Sequence, residues 1–178
     1  MKISRKWSMP NGKTFSIKPI RDIIDSYVET LNAGSLIVDP FSNESEIINR
    51  GLFNLITNDI DTQYKTDYNL DALDFLKILS TNSVDLVLYD PPYSPRQVSE
   101  VYKKLGKTVN MQTTQASYWS KQKKEIARIT KKGGYVITCG WNSGGIGKSN
   151  GFEIVEILLV AHGGWHNDTI ITVEQKVK

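Results

Sequence analysis

Four consecutive residues, Asp90-Pro91-Pro92-Tyr93, hold the densest chemistry in the chain. Neither proline has an amide hydrogen to give a neighbouring strand, so a sheet ladder reaching them must stop and leave carbonyl groups unpaired. A carboxylate precedes those carbonyls and a phenol ring follows them. The set offers hydrogen-bond acceptors and a stacking plate, with no donor from either proline, and it suits a flat ring that carries an exocyclic amine. Short motifs of this kind also open turns and helices. Their meaning depends on the elements that hold them.

The residues just before, Val84-Asp85-Leu86-Val87-Leu88-Tyr89, form an aliphatic and aromatic run broken by one acid, the pattern of a strand covered on both faces. Upstream, apolar residues from Phe15 to Leu31 recur at helical spacing, with Pro19 at the first turn and Gly34 beyond the end. Ser35–Val38 reads as a short strand closed by Asp39-Pro40-Phe41. Residues 44–50 read as a short helix, and Leu52–Thr57 as a second strand ending in the polar Asn58-Asp59. A weak strand is expected near Tyr68, and Asp71-Ala72 introduces another helix. After a polar connection over 94–113, a helix is expected from about Thr114 to Lys131, stopped by Gly133-Gly134. Tyr135–Cys139 is the next strand. Phe152–Ala161 and Thr169–Val173 form a closing hairpin around a wide loop containing Trp165-His166-Asn167.

Strands alternating with helices and ending in a hairpin imply an open α/β sheet, mostly parallel with one antiparallel strand, and helices on both faces. In such sheets ligands bind outside the carboxyl ends of the strands. Asp39, Asp59 and Asp90 all fall at those ends, and Asp71 joins them if the weak strand forms.

The 178 residues suffice for one well-buried domain and are few for two. Residues 1–14 are read as a polar, turn-rich extension and 94–113 as a short insertion facing substrate. No apolar run approaches the roughly 20 residues of a membrane span, and the basic start has no apolar stretch behind it, so a cytoplasmic protein without membrane contact is expected. The single cysteine, Cys139, excludes an internal disulfide or a multi-cysteine zinc site. The two histidines, His162 and His166, are separated by a Gly-Gly pair unsuited to a helical metal site, and no metal is expected. Charge is uneven: residues 39–90 carry ten acids against three bases, and residues 96–132 carry ten bases against two acids. The first region suits a cation and the second a polyanion, with Arg96 and the helical Lys121, Lys124 and Arg128 as candidate phosphate contacts.

Taken together these residues resemble the S-adenosylmethionine-dependent DNA adenine amino-methyltransferases, in particular the small phage and prophage ones. The resemblance covers about residues 15–173 and implies one Rossmann-like methyltransferase domain. It assigns Asp90, Pro91, Pro92 and Tyr93 to catalysis. It assigns the cofactor to an Asp-Pro-Phe turn (Asp39, Pro40, Phe41), to the second strand end (Asn58, Asp59), to Asp71-Ala72, and to an upstream Phe-x-x-x-Pro element, Phe15 to Pro19. The family's first motif normally continues with glycines, whereas this chain has Ser42-Asn43-Glu44-Ser45, and Asn43 is the residue expected to adopt the left-handed turn in their place. Trp165, His166 and Asn167 are candidates for a second wall around a flipped-out base. The family's sequence-reading members carry a recognition domain for which 94–113 is small, so specificity would be relaxed or would come from a homodimer or a separate subunit. Two alternatives stand beside this reading: a ribosomal-RNA guanine amine methyltransferase, and an inactive methyltransferase fold that grips nucleic acid. A nicotinamide enzyme is disfavoured because no G-x-G-x-x-G follows the first strand.

Overall fold

In the computed structural model, residues 1–43, 48–109, 115 and 117–178 are described. Their strands form one seven-stranded sheet in the order β1-β6-β7-β5-β4-β2-β3. The strands are β1 (Lys2–Trp7), β2 (Leu36–Asp39), β3 (Asn54–Thr57), β4 (Val84–Tyr89), β5 (Thr130–Gly140), β6 (Phe152–Ala161) and β7 (Thr169–Lys176). Only β7 runs antiparallel to its neighbours. Four helices of this region are α1 (Lys18–Val28), α2 (Ala72–Ile78), α3 (Pro95–Lys104) and α4 (Ser117–Ile129). None of the described helices is long and apolar enough to cross a membrane.

Because side chains alternate along a strand, the central strands feed two cores. Ile37, Leu86, Leu88 and Ile137 pack towards α1 with Ile20, Ile23 and Ile24. Their sequence neighbours Val38, Val87, Tyr89 and Val136 pack on the other face with Phe75 and Leu76 of α2 and Ile126 and Ile129 of α4. Helices on both faces are what make β4 apolar almost throughout: Leu86, Val87 and Leu88 are fully buried, each worth roughly 1.5–3 kcal/mol of transfer free energy. Asp85, the polar exception, accepts the Leu36 amide at 2.9 Å and the Lys131 ammonium at 2.8 Å.

Several expected elements differ. The first 14 residues are not a turn-rich extension, since Lys2–Trp7 adds a strand to the sheet edge beside β6. The connection over 94–113 contains α3, with Ser94 accepting the Gln97 amide as its cap and Pro95 in its first turn. The helix expected over 44–50 lies largely outside the described residues, and Ile48–Arg50 are not helical. α4 stops at Ile129, so Gly133-Gly134 does not end it. Those glycines sit inside β5 where six residues, Thr130 to Tyr135, span what the three residues Val84 to Leu86 span on β4. Gly133 takes φ 83° there, and a Cβ on Gly134 would come within 3.0 Å of the Asp85 carbonyl. The glycines make a bulge in a strand. The weak strand near Tyr68 is a single parallel bridge to Asn58, and Asp71 caps α2 by accepting the Leu73 amide at 3.0 Å.

Candidate active site

The carboxyl ends of β2, β3, β4, β5 and β6 share one rim of the sheet, and β4 delivers Asp90-Pro91-Pro92-Tyr93 to its middle. Three contacts fix this tip. The Trp119 indole of α4 donates to the Pro92 carbonyl at 2.9 Å. The Tyr93 amide donates to the Gln97 side chain, in the first turn of α3, at 2.6 Å. The Tyr93 hydroxyl donates to Asp90 Oδ1 at 2.5 Å. The Pro91 carbonyl takes no hydrogen bond from a described residue. The tip therefore carries a carboxylate and, among the described residues, an unpaired carbonyl on consecutive positions.

The Asp90 carboxyl is pushed above its ordinary range by burial, although the hydroxyls of Tyr93 and Thr14 draw it back down. Tyr93 is held far above the usual phenol range by burial first and by the Asp90 charge next. The phenol stays protonated and remains a donor.

A cleft of about 430 Å³ opens beside the tip. Phe41, Asn43, Asp59, Tyr64, Asp90 and Tyr93 line it, with Tyr102 and Tyr118 closing the far side. Asn43 adopts the left-handed region at φ 46°, as the turn after β2 requires, and its amide donates to Asp59 Oδ2 at 3.2 Å. Asp59 Oδ1 accepts the Asp61 amide at 2.8 Å. Among the described residues each oxygen of Asp59 accepts one hydrogen bond, and a carboxylate oxygen can accept two. Burial raises the Asp59 carboxyl, and the Asp61 charge adds to the effect.

Not every residue assigned to cofactor binding reaches the cleft. Asp39 is 1% exposed and works within the turn, accepting the Phe41 amide at 3.1 Å. Burial lifts its carboxyl well above the usual range, with the charges of Asp90 and Asp59 adding to the shift. Pro40 is buried beneath the turn. Asn58 is completely buried, donating to the carbonyls of Pro40 at 3.1 Å and Leu70 at 3.0 Å while accepting the Leu70 amide at 2.9 Å, so it knits two loops together. Asp71 accepts the Tyr102 hydroxyl and thereby places a ring that does line the cleft, and Ala72 is buried behind it. Phe15 belongs to the apolar core under α1, and Pro19 faces a separate depression between α1 and β1. Thr14, immediately before Phe15, is the residue of that element which reaches the cleft.

The proposed phosphate contacts divide as well. Arg96 is exposed and pairs with Glu100 at 2.8 Å. Lys121 and Lys124 are exposed and make no ion pair among the described residues. Arg128 is not available to a phosphate. Its guanidinium donates to the carbonyls of Leu76 at 3.0 Å and Leu79 at 2.9 Å, closing the open end of α2, and it also pairs with Glu125.

The hairpin loop between β6 and β7 stands on the same rim. Trp165, His166 and Asn167 border a pocket of about 320 Å³ whose other walls include Tyr93, Gln97 and Trp141. Tyr93 and Trp141 meet edge to face at 5.7 Å. His162 is buried and spoken for, with Nδ1 2.9 Å from the Ser8 carbonyl and Nε2 2.8 Å from the Thr169 hydroxyl. Thr14, Tyr64, Gln97, Tyr102, Trp119 and Trp141 belong to the site without having been singled out in the sequence. Only Gln97 carried a signal, in the first turn after the Ser94-Pro95 start.

No family model matches the chain, and no curated protein matches it in sequence. Solved structures do match it in shape. TrmN from Thermus thermophilus superposes with a TM-score of 0.59 over 90% of this chain at 14% identity, and this chain spans 49% of that protein's length. The 1,6-didemethyltoxoflavin-N1-methyltransferase of Burkholderia thailandensis, solved with 1,6-didemethyltoxoflavin and S-adenosylhomocysteine, gives a TM-score of 0.61 over 90% of this chain and 78% of that one, at 8% identity. The N-methyltransferase NodS of Bradyrhizobium japonicum WM9 gives 0.58 over 90% and 96%, at 7% identity. The fold is that of the Rossmann-like methyltransferases. Within this methyltransferase fold β1 joins the sheet edge beside the closing hairpin, and its end at Trp7 reaches the same rim as the cleft.

Proposed function

We propose that the chain transfers a methyl group from S-adenosylmethionine to the exocyclic amine of adenine in DNA. The observation that carries this reading is the meeting of Asp90-Pro91-Pro92-Tyr93 with Phe41, Asn43 and Asp59 in one cleft. Two of the three shape relatives are named for transfer to nitrogen.

The cleft fits the cofactor in size and chemistry. Its volume of about 430 Å³ lies within the range of small-molecule sites. Asp59, a carboxylate lining the cleft, has the acceptor chemistry to hold ribose hydroxyls, and the aromatic rings of Phe41 and Tyr64 suit a purine. Asp59, Asp61, Asp90 and Glu100 against Lys104 give the cleft a negative balance that favours a sulfonium cation. When bound, the cofactor supplies an electrophilic methyl on positively charged sulfur.

The remaining chemistry belongs to the tip of β4. The amine of adenine is a weak nucleophile because its lone pair is delocalised into the ring. If the Asp90 carboxylate and the Pro91 carbonyl accept its two hydrogens, the nitrogen is drawn towards a tetrahedral shape and its lone pair is concentrated. Burial makes Asp90 a better acceptor than a solvated carboxylate, and the Tyr93 hydroxyl holds its orientation. Fixed dipoles and alignment of the reactants supply most of the acceleration. Because a duplex hides the amine, the base must be unpaired or flipped.

The test is incubation with methyl-labelled cofactor and either DNA or RNA, followed by digestion to nucleosides. Label in N6-methyladenine from DNA is expected. Label in a guanine of ribosomal RNA would move the assignment to the alternative polymer. Nucleic-acid binding with neither transfer nor cofactor binding would make the chain an inactive member of the fold.

A further inference from the structure

The first 18 residues carry five bases and no acid, and the structure turns that stretch into β1 and the segment that crosses the rim beside the proposed active site. Lys2 is engaged by Glu156 at 2.7 Å and Lys18 by Asp22 at 2.9 Å. Arg5, Lys6 and Lys13 make no ion pair among the described residues. The end of β1 is tied to the hairpin loop, for the Ser8 amide donates to the Ala161 carbonyl at 3.1 Å and the Ser8 carbonyl meets His162.

Along this rim lie large aromatic surfaces that the fold leaves in solvent. Trp165 is 102% exposed, Trp7 64% and Trp141 41%. Gly163 brings the loop bearing Trp165 against Trp7, since a Cβ there would lie 3.4 Å from the Trp7 indole nitrogen. Trp141 in turn touches Tyr93. A run of exposed indoles is unusual on a free surface and implies a partner.

We infer that β1 and the hairpin loop form a track for single-stranded nucleic acid that crosses the sheet edge, with bases stacking on Trp165 and Trp7 and phosphates held from the two faces of that edge by Arg5 and Lys6. Indole faces combined with unpaired cations match the chemistry of unpaired bases on a phosphate backbone, whereas a duplex keeps its base faces hidden. A second copy of this chain is disfavoured as the occupant, because pairing β1 edges would gather Lys2, Arg5 and Lys6 of both copies along one seam. The pocket between Tyr93, Trp141 and the loop links the track to the β4 tip, so a strand lying on it presents one base to Asp90. The inference deepens the proposed function by naming the form of its substrate, and it shifts the main phosphate contacts from α4 to β1.

Fluorescence anisotropy of a labelled oligothymidylate, measured without cofactor over a range of salt, tests the track separately from methyl transfer. Trp7→Ala is expected to weaken binding about 5- to 150-fold, the worth of one stacked base. The double variant R5A/K6A is expected to flatten the slope of log affinity against log salt by about 1.4, two single-strand phosphate contacts. Lys148→Ala, at the opposite end of β6, should change neither. Circular dichroism and cofactor calorimetry on each variant separate a lost contact from a lost fold. Unchanged oligonucleotide affinity in folded Trp7→Ala and R5A/K6A overturns the track, even if methyl transfer is demonstrated. Self-association of the wild type that Trp7→Ala abolishes, with no oligonucleotide binding, assigns the surface to a second copy and overturns it too. Failure of transfer with intact, Trp7-dependent binding leaves the track standing and removes the enzymatic reading.

Discussion

In the proposed reaction Asp90 faces two demands that conflict. As an acceptor it must be ionised, yet burial raises its pKa and so favours the protonated form. The Tyr93 hydroxyl, at 2.5 Å, offsets part of that shift by donating to the charged form. Two consequences follow for methyl transfer. Asp90→Ala is expected to lower kcat at least about 10²-fold, the scale of removing one preorganised polar contact. Calorimetry should show cofactor affinity little changed, because Phe41, Asn43 and Asp59 are untouched. The acid limb of the pH–rate profile is expected above the ordinary carboxylate value of 3.8, with activity falling as pH drops through it. Tyr93→Phe removes a contact that lowers the Asp90 pKa, so its acid limb should move to still higher pH. A limb that stays fixed or moves down would separate Tyr93 from the ionisation of Asp90. The position of these residues at a strand end was legible in the sequence. A double proline has one meaning for a strand, and an asparagine where glycine is customary points to positive φ, which Asn43 adopts. Trp119 and Trp141 were not legible, since they reach the tip from elements distant in the chain and nothing local distinguishes them from packing residues.

At the scale of elements, periodicity located the buried strands and failed where burial was one-sided or absent. Of the six residues in β1 only Ser4 is partly buried and the other five are exposed, so the strand carries no buried apolar alternation to read. The Gly133-Gly134 pair was read as a helix stop because glycine does that most often, but the same freedom of backbone serves a bulge inside β5. Arg128 shows another limit. Helical spacing placed it on one face with Lys121 and Lys124, and spacing cannot reveal that a side chain reaches the open carbonyls of another helix. Arg128→Met keeps much of the stem packing and removes those bonds together with the pair to Glu125. It is expected to destabilise the fold by about 2–4 kcal/mol, read as a lower urea midpoint at unchanged slope, with oligonucleotide affinity unchanged. Normal stability with weakened nucleic-acid binding would reverse that assignment.

The whole molecule gathers its acids through topology. Six strands point the same way and β7 alone returns, so strand ends far apart in sequence converge on one rim. Asp90 and Asp59 are brought close enough there for their charges to raise the Asp39 carboxyl, on top of the larger effect of burial. Their shared placement could be read from the strand order that alternating elements imply, while the division of labour could not, because Asp39 and Asp59 look alike in sequence and only Asp59 lines the cleft. Asp39 measures what this convergence costs. Its folded pKa is raised well above the unfolded value of 3.8, so the native state binds a proton that the unfolded chain gives up. Stability from this group is fully present below pH 3.8 and is lost as pH rises through the folded value. Asp39→Asn keeps an oxygen to accept the Phe41 amide and has no charge to bury. In thermal unfolding without cofactor, the variant should therefore melt above the wild type near pH 8, and the gap should narrow as pH is lowered and close once Asp39 is protonated in both states. A variant that melts lower at every pH would mean that the carboxylate's bonds within the β2 turn outweigh its burial and the repulsion of its neighbours.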